Sequence, residues 1–234
     1  MNIRGLTKFT LIDYPKKIAC TIFVGECNFL CPYCHNPFLV ANSESQPLIR
    51  NDDFYRFLDS RVGKIDAVVI SGGEPTLRKG LFKLASEIKR RGFLVKLDTN
   101  GSRPRVVREL YENDCLDFIG LDYKGPKAKY NLINGTNELG LYEKITETIS
   151  YVISKSISCD IRTTAHKNLL SEQDIAAMRA ELSGLGVKNW TLQQFNPTEV
   201  MDEDLKNIPT YSDTELLDIA QSLPLTKVRN IKNI

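Results

Sequence analysis

Residues 65–101, IDAVVISGGEPTLRKGLFKLASEIKRRGFLVKLDTNG, contain the pattern that decides the predicted fold. A β-rich apolar run from Ala67 to Ile70 precedes a loop with two adjacent glycines. An amphipathic stretch from Leu81 to Arg91 follows, and then a second apolar run from Leu94 to Leu97. A strand, a helix and a strand in this order predict a βαβ unit with two parallel strands.

The same alternation extends over the rest of the chain. The other apolar runs, which predict strands, are Ile18 to Val24, Phe118 to Leu121, Ser158 to Ile161 and Trp190 to Leu192. The other helical stretches are Asp52 to Val62, Arg105 to Asn113, Leu139 to Ser154, Asp174 to Leu182 and Thr214 to Leu223, the last two with capping-box spacing at Ser171/Asp174 and Ser212/Glu215. This pattern predicts an α/β fold with parallel strands and outer helices, either an open doubly wound sheet or a complete or partial barrel.

Length and composition narrow the class of protein. The 234 residues predict a single domain, with a core over about 16–197 and a C-terminal helix and tail over 198–234 that close the fold at Thr226 to Ile234. A net charge of +2 gives no support for nucleic-acid binding. No apolar run approaches the roughly 18 residues that cross a bilayer, and the N-terminal residues lack a secretory signal. We therefore expect a cytoplasmic protein with reduced thiols and no membrane association.

Three of the six cysteines, Cys27, Cys31 and Cys34, lie within eight positions with C-x3-C-x2-C spacing. In a reducing compartment such a cluster indicates metal or redox chemistry, and thiolates select zinc or iron–sulfur centres. Three protein thiolates leave one coordination position open for a substrate. A closed zinc site with His35 as fourth ligand is the alternative, although adjacency to Cys34 hinders His35 from turning onto the same ion.

Polar residues follow each predicted strand. The carboxyl ends of parallel strands meet at one edge of the sheet, so these residues predict a functional site there. They are Cys27, Cys31 and Cys34; Ser71 to Pro75; Asp98 to Gly101; Asp122 to Lys124; Arg162 to Thr164; and Gln193 to Asn196. The remaining cysteines, Cys20, Cys115 and Cys159, are predicted to be small buried apolar side chains.

The segment CNFLCPYCHNP, Cys27 to Pro37, resembles the signature of the radical S-adenosylmethionine (radical SAM) enzymes, which is C-x3-C-x2-C with an aromatic residue before the third cysteine. The His-Asn-Pro continuation and the segment TLIDYP, Thr10 to Pro15, are similar to the activating enzymes of glycyl-radical enzymes. Among these, the sequence most resembles the longer activating proteins of anaerobic ribonucleoside-triphosphate reductase. The resemblance extends from about Leu6 to Pro197.

This resemblance implies a partial (β/α)6 barrel of the radical SAM type. It implies a [4Fe-4S] cluster on Cys27, Cys31 and Cys34, whose fourth iron binds the amino and carboxylate groups of S-adenosylmethionine. Matching positions imply that Glu74 and Asp98 hold the methionine ammonium and that Lys124 holds its carboxylate. The full set of implied cofactor contacts is Tyr33, His35, Gly72, Gly73, Glu74, Asp98, Asp122, Tyr123, Lys124, Arg162 and Asn196. Asn196 stands where pyruvate formate-lyase activases have a histidine.

The resemblance also implies a reaction. The reduced cluster cleaves S-adenosylmethionine into methionine and a 5′-deoxyadenosyl radical, which takes a hydrogen atom from a glycine Cα of a partner enzyme. Anaerobic ribonucleoside-triphosphate reductase is the favoured partner, and a flavodoxin- or ferredoxin-type protein is the expected reductant. The alternatives are a radical SAM enzyme acting on a small molecule or on another glycyl-radical enzyme such as pyruvate formate-lyase, and a non-catalytic zinc or electron-transfer module.

Replacing Cys31 tests the assignment of the cysteine cluster. We expect Cys31→Ala to abolish cleavage of S-adenosylmethionine, because the variant lacks one thiolate ligand, and to leave the protein folded. Chromatographic measurement of 5′-deoxyadenosine, with circular dichroism as a check of folding, gives the readout. Cys115→Ala is the matched control, and we expect its cleavage to be nearly intact. Retained cleavage in Cys31→Ala would contradict the assignment.

Overall fold

The computed structural model describes residues 1–231, in which strands and helices alternate along the chain. The strands are β1 (Ile3–Thr10), β2 (Ala19–Val24), β3 (Ala67–Gly72), β4 (Leu94–Thr99), β5 (Phe118–Asp122), β6 (Cys159–Ala165), β7 (Trp190–Gln194) and β8 (Thr226–Arg229). The helices are α1 (Pro37–Ala41), α2 (Asn51–Asp59), α3 (Leu81–Arg90), α4 (Pro104–Glu112), α5 (Tyr130–Asn134), α6 (Leu141–Ser154), α7 (Glu172–Gly184) and α8 (Asp213–Ser222).

The strand order of the sheet is the order of the chain, from β1 to β8. β1 runs antiparallel to β2, whereas β2, β3 and β4 pair in parallel, as do β6, β7 and β8. From β2 onward, at least one helix lies between each strand and the next. Sequential parallel strands with helical connections confirm the α/β class, and they are the order expected of a partial (β/α) barrel.

The six predicted strands correspond to β2 through β7, but the prediction missed β1 and β8. Both carry charged residues, as strands at the two ends of a sheet commonly do, so neither shows a continuous apolar run. The helix predicted from Leu139 begins at Leu141, because Gly140 has a φ of 68° and cannot be helical. The last residues of the predicted C-terminal tail, 232–234, lie outside the described residues.

The chain divides into two compact units. The first unit consists of residues 1–28 and 38–120, and the second unit of residues 29–37 and those from 121 onward. In the first unit α3 contacts β4 and α4, and its core includes the fully buried Ile70. In the second unit α8 contacts β7 and β8. The predicted single domain remains a prediction.

The segment Thr10 to Pro15 lies at the start of the parallel strands of the first unit. Tyr14 is buried in a cluster with Ala19 and Ala67, the first residues of β2 and β3, and its ring lies 5.5 Å from that of Phe118. Because the cysteine motif follows the opposite end of β2, this segment closes the apolar core at the end of the strands away from the motif.

Both predicted capping boxes are present. The Ser171 hydroxyl accepts a hydrogen bond from the amide of Asp174 at 3.2 Å, and the Asp174 carboxylate accepts one from the amide of Ser171 at 2.8 Å. Ser212 and Glu215 make the same pair of bonds at the start of α8. No helix in the described part of the chain is long and apolar enough to cross a membrane.

Removing a cap should destabilise the protein measurably. We expect Ser171→Ala and Ser212→Ala each to lower the free energy of unfolding by about 1 kcal/mol, because an amide at the helix start loses its acceptor. Urea denaturation measures this change. Ser154→Ala is the control, since its hydroxyl only bonds the carbonyl of Tyr151 at an exposed helix end. Equal losses in all three variants would show that the caps add nothing specific.

Candidate functional site

In the first unit, two backbone turns at the ends of β2 and β3 are bonded to each other. The amide of Gly73 donates to the carbonyl of Val24 at 2.8 Å, and the amide of Glu74 donates to the carbonyl of Glu26 at 2.8 Å. Gly72 has a φ of 117°, and a Cβ on Gly73 would lie 2.0 Å from the Glu26 carbonyl oxygen. The paired glycines are therefore required by contact between two parts of the chain itself, directly before the cysteine motif.

Glu26 is held on both sides of this contact. Its amide donates to the carbonyl of Leu39 at 2.7 Å, and its carboxylate lies 2.7 Å from the guanidinium of Arg78. Its φ of 67° is a conformation that residues other than glycine rarely adopt. These contacts fix the direction in which the chain leaves β2 and enters Cys27.

Glu74 is almost completely buried, with 1% of its surface exposed. Its carboxylate accepts hydrogen bonds from the amide and hydroxyl of Thr76, from the Thr99 hydroxyl at 2.7 Å and from the Asn100 amide at 2.7 Å. Burial raises the pKa of Glu74, and these donors oppose the rise. Glu74 thus joins the turn after β3 to the end of β4, and its predicted contact with a methionine ammonium remains a prediction.

The residue after Cys27 is also tied to the end of β4. The Asn28 side chain accepts a hydrogen bond from the Asn100 side-chain amide at 2.9 Å and donates one to the Ser102 hydroxyl at 3.1 Å. The Ser102 amide in turn donates to the Asn100 side-chain oxygen at 2.9 Å. Sequence reasoning missed this network, although an Asn-x-Ser sequence directly after a strand is a signal for side-chain bonds of this kind.

Asp98, another predicted cofactor residue of the first unit, faces a buried lysine. The Lys96 ammonium lies 3.1 Å from the Asp98 carboxylate, and the Lys96 side chain is only 4% exposed. Alternate residues of a strand share a face, so the two side chains project from the same side of β4. Lys96 also donates to the main-chain carbonyl of Asp13, which links this strand to the Thr10 to Pro15 segment.

In the second unit, the thiols of Cys31 and Cys34 lie in surroundings that disfavour their ionised forms. Burial raises the pKa of Cys31 to about 11, and burial also raises that of Cys34. The nearby ammonium of Lys124 opposes both shifts. A metal centre that binds thiolates would have to supply the missing stabilisation of the anions.

The surroundings of Cys31 fit such a centre. Among the described residues of the second unit, the buried polar atoms without a hydrogen-bond partner include the hydroxyls of Tyr33 and Tyr130 and the side-chain nitrogen of Asn134. The charged thiolate of Cys31 would raise the pKa of both tyrosines, although burial is the larger cause of each rise. Buried donors without acceptors are costly, and sulfur anions provide acceptors. Tyr33 is a predicted cofactor contact, and this environment supports the prediction.

Asp122, Lys124 and Arg162 form a partly buried charge cluster in the second unit. The Arg162 guanidinium donates to the Asp122 carboxylate at 2.7 Å, and the Lys124 ammonium donates at 3.2 Å. Burial raises the pKa of Asp122, but the two cations outweigh it and hold the pKa well below its usual range. Burial lowers the pKa of Lys124, and Asp122 reverses this so that the net pKa is raised. With two cations and one anion, the cluster has a net positive charge that suits a carboxylate ligand.

Tyr123 lies between Asp122 and Lys124 in sequence but points the other way. Its hydroxyl bonds the carboxylate of Glu181 on α7 and lies 3.3 Å from the hydroxyl of Tyr142 on α6. Successive strand residues point to opposite faces, so Tyr123 packs among helices and is separated from the charge cluster. The structure gives no contact that would support its predicted role with the cofactor.

His35 and Asn196 are in contact through the main chain of Asn196. The His35 ring nitrogen Nε2 lies 3.0 Å from the Asn196 carbonyl, and the ring stacks on Phe195 at 6.2 Å. The Asn196 side chain instead accepts a hydrogen bond from the amide of Thr198 at 3.3 Å.

Asp202 makes a contact with the cysteine motif that sequence reasoning missed. Its amide donates a hydrogen bond to the carbonyl of Pro32 at 2.9 Å.

The structure therefore distributes the predicted residues over both units. The first unit holds Cys27, Gly72, Gly73, Glu74 and Asp98, and the second holds Cys31, Tyr33, Cys34, His35, Asp122, Tyr123, Lys124, Arg162 and Asn196. Within residues 1–231 no three cysteine, histidine or acidic side chains are grouped as a metal site. The assignment of the three cysteines to one cluster thus rests on their spacing and on family membership. As predicted, Cys20 and Cys115 are buried, whereas Cys159 is only partly so.

A sheet of sequential parallel strands defines the class as an α/β protein. The cysteine motif follows β2, and the predicted charged site residues lie within or shortly after β3, β4, β5 and β6. Residues 21–179 match the sequence profile of the Radical SAM superfamily. The chain belongs to this superfamily, whose members use a [4Fe-4S] cluster and S-adenosylmethionine.

Individual relatives agree with the family. A protein of Methanocaldococcus jannaschii, provisionally named a glycyl-radical enzyme activating enzyme, is 33% identical over 225 residues, which are 94% of this chain and 90% of that protein. A protein of Thermococcus kodakarensis, provisionally named a GTP 3′,8-cyclase, is 30% identical over 136 residues, covering 54% of this chain and 42% of its own length.

Solved structures share the fold. Streptococcus suis SuiB bound to its precursor peptide SuiA superposes with a TM-score of 0.69 at 16% identity, over 90% of this chain and 48% of SuiB. The same protein bound to S-adenosylmethionine gives a TM-score of 0.65 at 16% identity, over 91% of this chain and 52% of SuiB. The chain thus spans about half of these solved proteins, and the likeness shows the fold alone.

The contact between the two turns of the first unit can be tested at Gly73. We expect Gly73→Ala to lower the free energy of unfolding by about 1–3 kcal/mol, because its methyl group would overlap the Glu26 carbonyl and push the two turns apart. Iron bound per chain after reconstitution should fall with it. Urea denaturation and iron assay give the two readouts.

Gly184→Ala is the matched control, since nothing lies within 4 Å of its added methyl group. Normal stability and iron content in Gly73→Ala would show that the turns separate without cost.

Proposed function

We propose that this protein is an activating enzyme that generates a glycyl radical on a partner enzyme. The observation that carries the proposal is the likeness to the Methanocaldococcus jannaschii protein, 33% identical over 94% of this chain, together with the motif CNFLCPYCHNP. The favoured partner is anaerobic ribonucleoside-triphosphate reductase, because the TLIDYP and His-Asn-Pro segments resemble the activating proteins of that enzyme. A flavodoxin- or ferredoxin-type protein in the cytoplasm would supply the electron.

In this proposal Cys27, Cys31 and Cys34 hold the cluster. When bound, the cluster and S-adenosylmethionine supply reductive cleavage of the sulfonium and a 5′-deoxyadenosyl radical that takes a hydrogen atom from the partner's glycine. The unpartnered hydroxyl of Tyr33 supports this assignment, since a buried donor fits a bound group with acceptor sulfur atoms. The contacts that hold Glu26 fix the direction of the main chain at Cys27.

The other predicted residues would bind and orient the amino-acid part of S-adenosylmethionine. Lys124 and Arg162 hold the Asp122 carboxylate between them, so their charges are fixed in place. We assign the methionine carboxylate to this positive cluster and the methionine ammonium to Asp98. Because each of these charged groups has a binding role, the chain needs no side chain that gains or loses a proton during the reaction.

The substrate would be a polypeptide segment of the partner. SuiB, which shares this fold, is known bound to a precursor peptide, so the fold is compatible with a peptide substrate. The likeness to a GTP 3′,8-cyclase favours a second candidate, a radical SAM enzyme for a small molecule, but that likeness covers 54% of this chain. The activating function is preferred because the corresponding likeness extends over nearly the whole chain.

Electron paramagnetic resonance tests the proposal. The protein is reconstituted anaerobically with iron and sulfide, then mixed with reductant, S-adenosylmethionine and the anaerobic ribonucleotide reductase of the same organism. We expect a glycyl doublet on the reductase and release of 5′-deoxyadenosine, and neither signal with Cys34→Ala. Deoxyadenosine without the doublet would overturn this partner and favour the small-molecule candidate. Neither signal from a fully loaded protein, or one zinc in place of about four irons, would overturn the radical chemistry.

A further inference from the structure

Asn134 lies against the cysteine motif in the second unit. It is the last residue of α5 and is completely buried. Its main-chain carbonyl accepts a hydrogen bond from the amide of Leu30 at 2.9 Å. Its side-chain oxygen, Oδ1, accepts one from the thiol of Cys31 at 3.7 Å. The main chain and the side chain of Asn134 therefore both contact the segment that carries Cys31.

The nitrogen of the Asn134 side-chain amide forms no hydrogen bond with the described residues. This nitrogen, Nδ2, carries two hydrogens and is buried. An unpaired buried donor is costly, so it usually indicates a missing acceptor. The amide oxygen and nitrogen are nearly equal in size, so a half-turn of the amide exchanges their places without enlarging the site.

Binding of Cys31 to a metal centre would reverse the hydrogen-bonding demand on this amide. A thiol donates a hydrogen to Oδ1, but a thiolate has none to donate and only accepts. Metal binding requires the thiolate. In the present orientation the thiolate would face the amide oxygen, which repels it, while the donor Nδ2 stayed unpaired. After the half-turn, Nδ2 would face the thiolate in place of Oδ1. The repulsion would be removed and the donor would be paired.

We propose that, with the cluster bound, the Asn134 amide turns and donates an N–H···S hydrogen bond to the Cys31 thiolate, and so raises the reduction potential of the cluster. This inference rests on the proposed function, because it takes Cys31 as a cluster ligand. Asn134 acts through Cys31 and is a positioning residue. Its hydrogen bond withdraws electron density from the ligand sulfur, which stabilises the reduced cluster more than the oxidised one.

The main chain around Asn134 leaves only its side chain free to respond. Gly135 follows with a φ of 61°, and a Cβ there would lie 2.7 Å from the Leu30 carbonyl oxygen. Together with the bond from the Leu30 amide, this close approach fixes the end of α5 against the motif. The amide therefore stays within reach of Cys31 in either orientation.

The test is the midpoint potential of the reconstituted protein, titrated without S-adenosylmethionine. Asn134→Leu keeps the size of the side chain and the main-chain bond but has no N–H. We expect its reduced-to-oxidised ratio to fall at least tenfold at a fixed potential, which is a shift of about 59 mV to more negative values for one electron. Asn131→Leu is the matched control, because the Asn131 amide donates to the carbonyl of Glu138 and should leave the potential unchanged.

A purely structural role would alter stability and iron content but leave the potential of the loaded protein unchanged, and that result would overturn the inference. A wild-type protein that assembles no [4Fe-4S] cluster would instead overturn the proposed function. If Asn134→Leu does not fold, the wild-type protein with asparagine labelled by ¹⁵N at the side-chain amide decides. A hyperfine coupling between that nitrogen and the reduced cluster supports the bond, and its absence overturns it.

Discussion

The contact between the two turns after β2 and β3 sets the geometry of the first unit's part of the site. Parallel strands place their carboxyl ends side by side, but loops with ordinary side chains would hold the backbones apart. Gly72 and Gly73 allow main-chain bonds from one turn to the other, and Glu74 carries the connection on to the end of β4. Cys27 therefore follows a turn that is held in place by main-chain hydrogen bonds to the neighbouring turn. The positions of the residues after β4 depend on the same contact.

The second unit depends on the pairing of partly buried charges. Lys124 and Arg162 are largely removed from solvent, and each would be costly without the Asp122 carboxylate. Together they form a cluster whose net charge is positive, close to thiols that need a positive environment to ionise. The donors of Tyr33, Tyr130 and Asn134, which have no hydrogen-bond partner in the described chain, add further polar groups to the second unit. A region with a net positive charge and unpaired donors is unfavourable by itself. Binding of an anionic group there would lower its free energy.

The sequence was most informative where one local rule applied. The βαβ pattern of residues 65–101 predicted β3, α3 and β4, and the serine caps of α7 and α8 followed from spacing alone. It was least informative where a strand lies at an end of the sheet, as with β1 and β8. Such strands pair on one side only, so their composition does not require the continuous apolar run that identifies a buried strand.

The sequence by itself predicted the chemistry of this protein, because the identity and spacing of candidate ligands are local: three cysteines within eight positions predict a thiolate centre. It also determined the α/β class through the alternation of two periodicities. Only the tertiary structure decided what each polar residue faces. Glu74 could be assigned to a ligand from its motif, yet its carboxylate is engaged by Thr76, Thr99 and Asn100. Asn134 carries no motif at all, yet folding places it on Cys31. Partners more than a hundred residues apart meet through packing of the whole chain, and no local pattern encodes that distance.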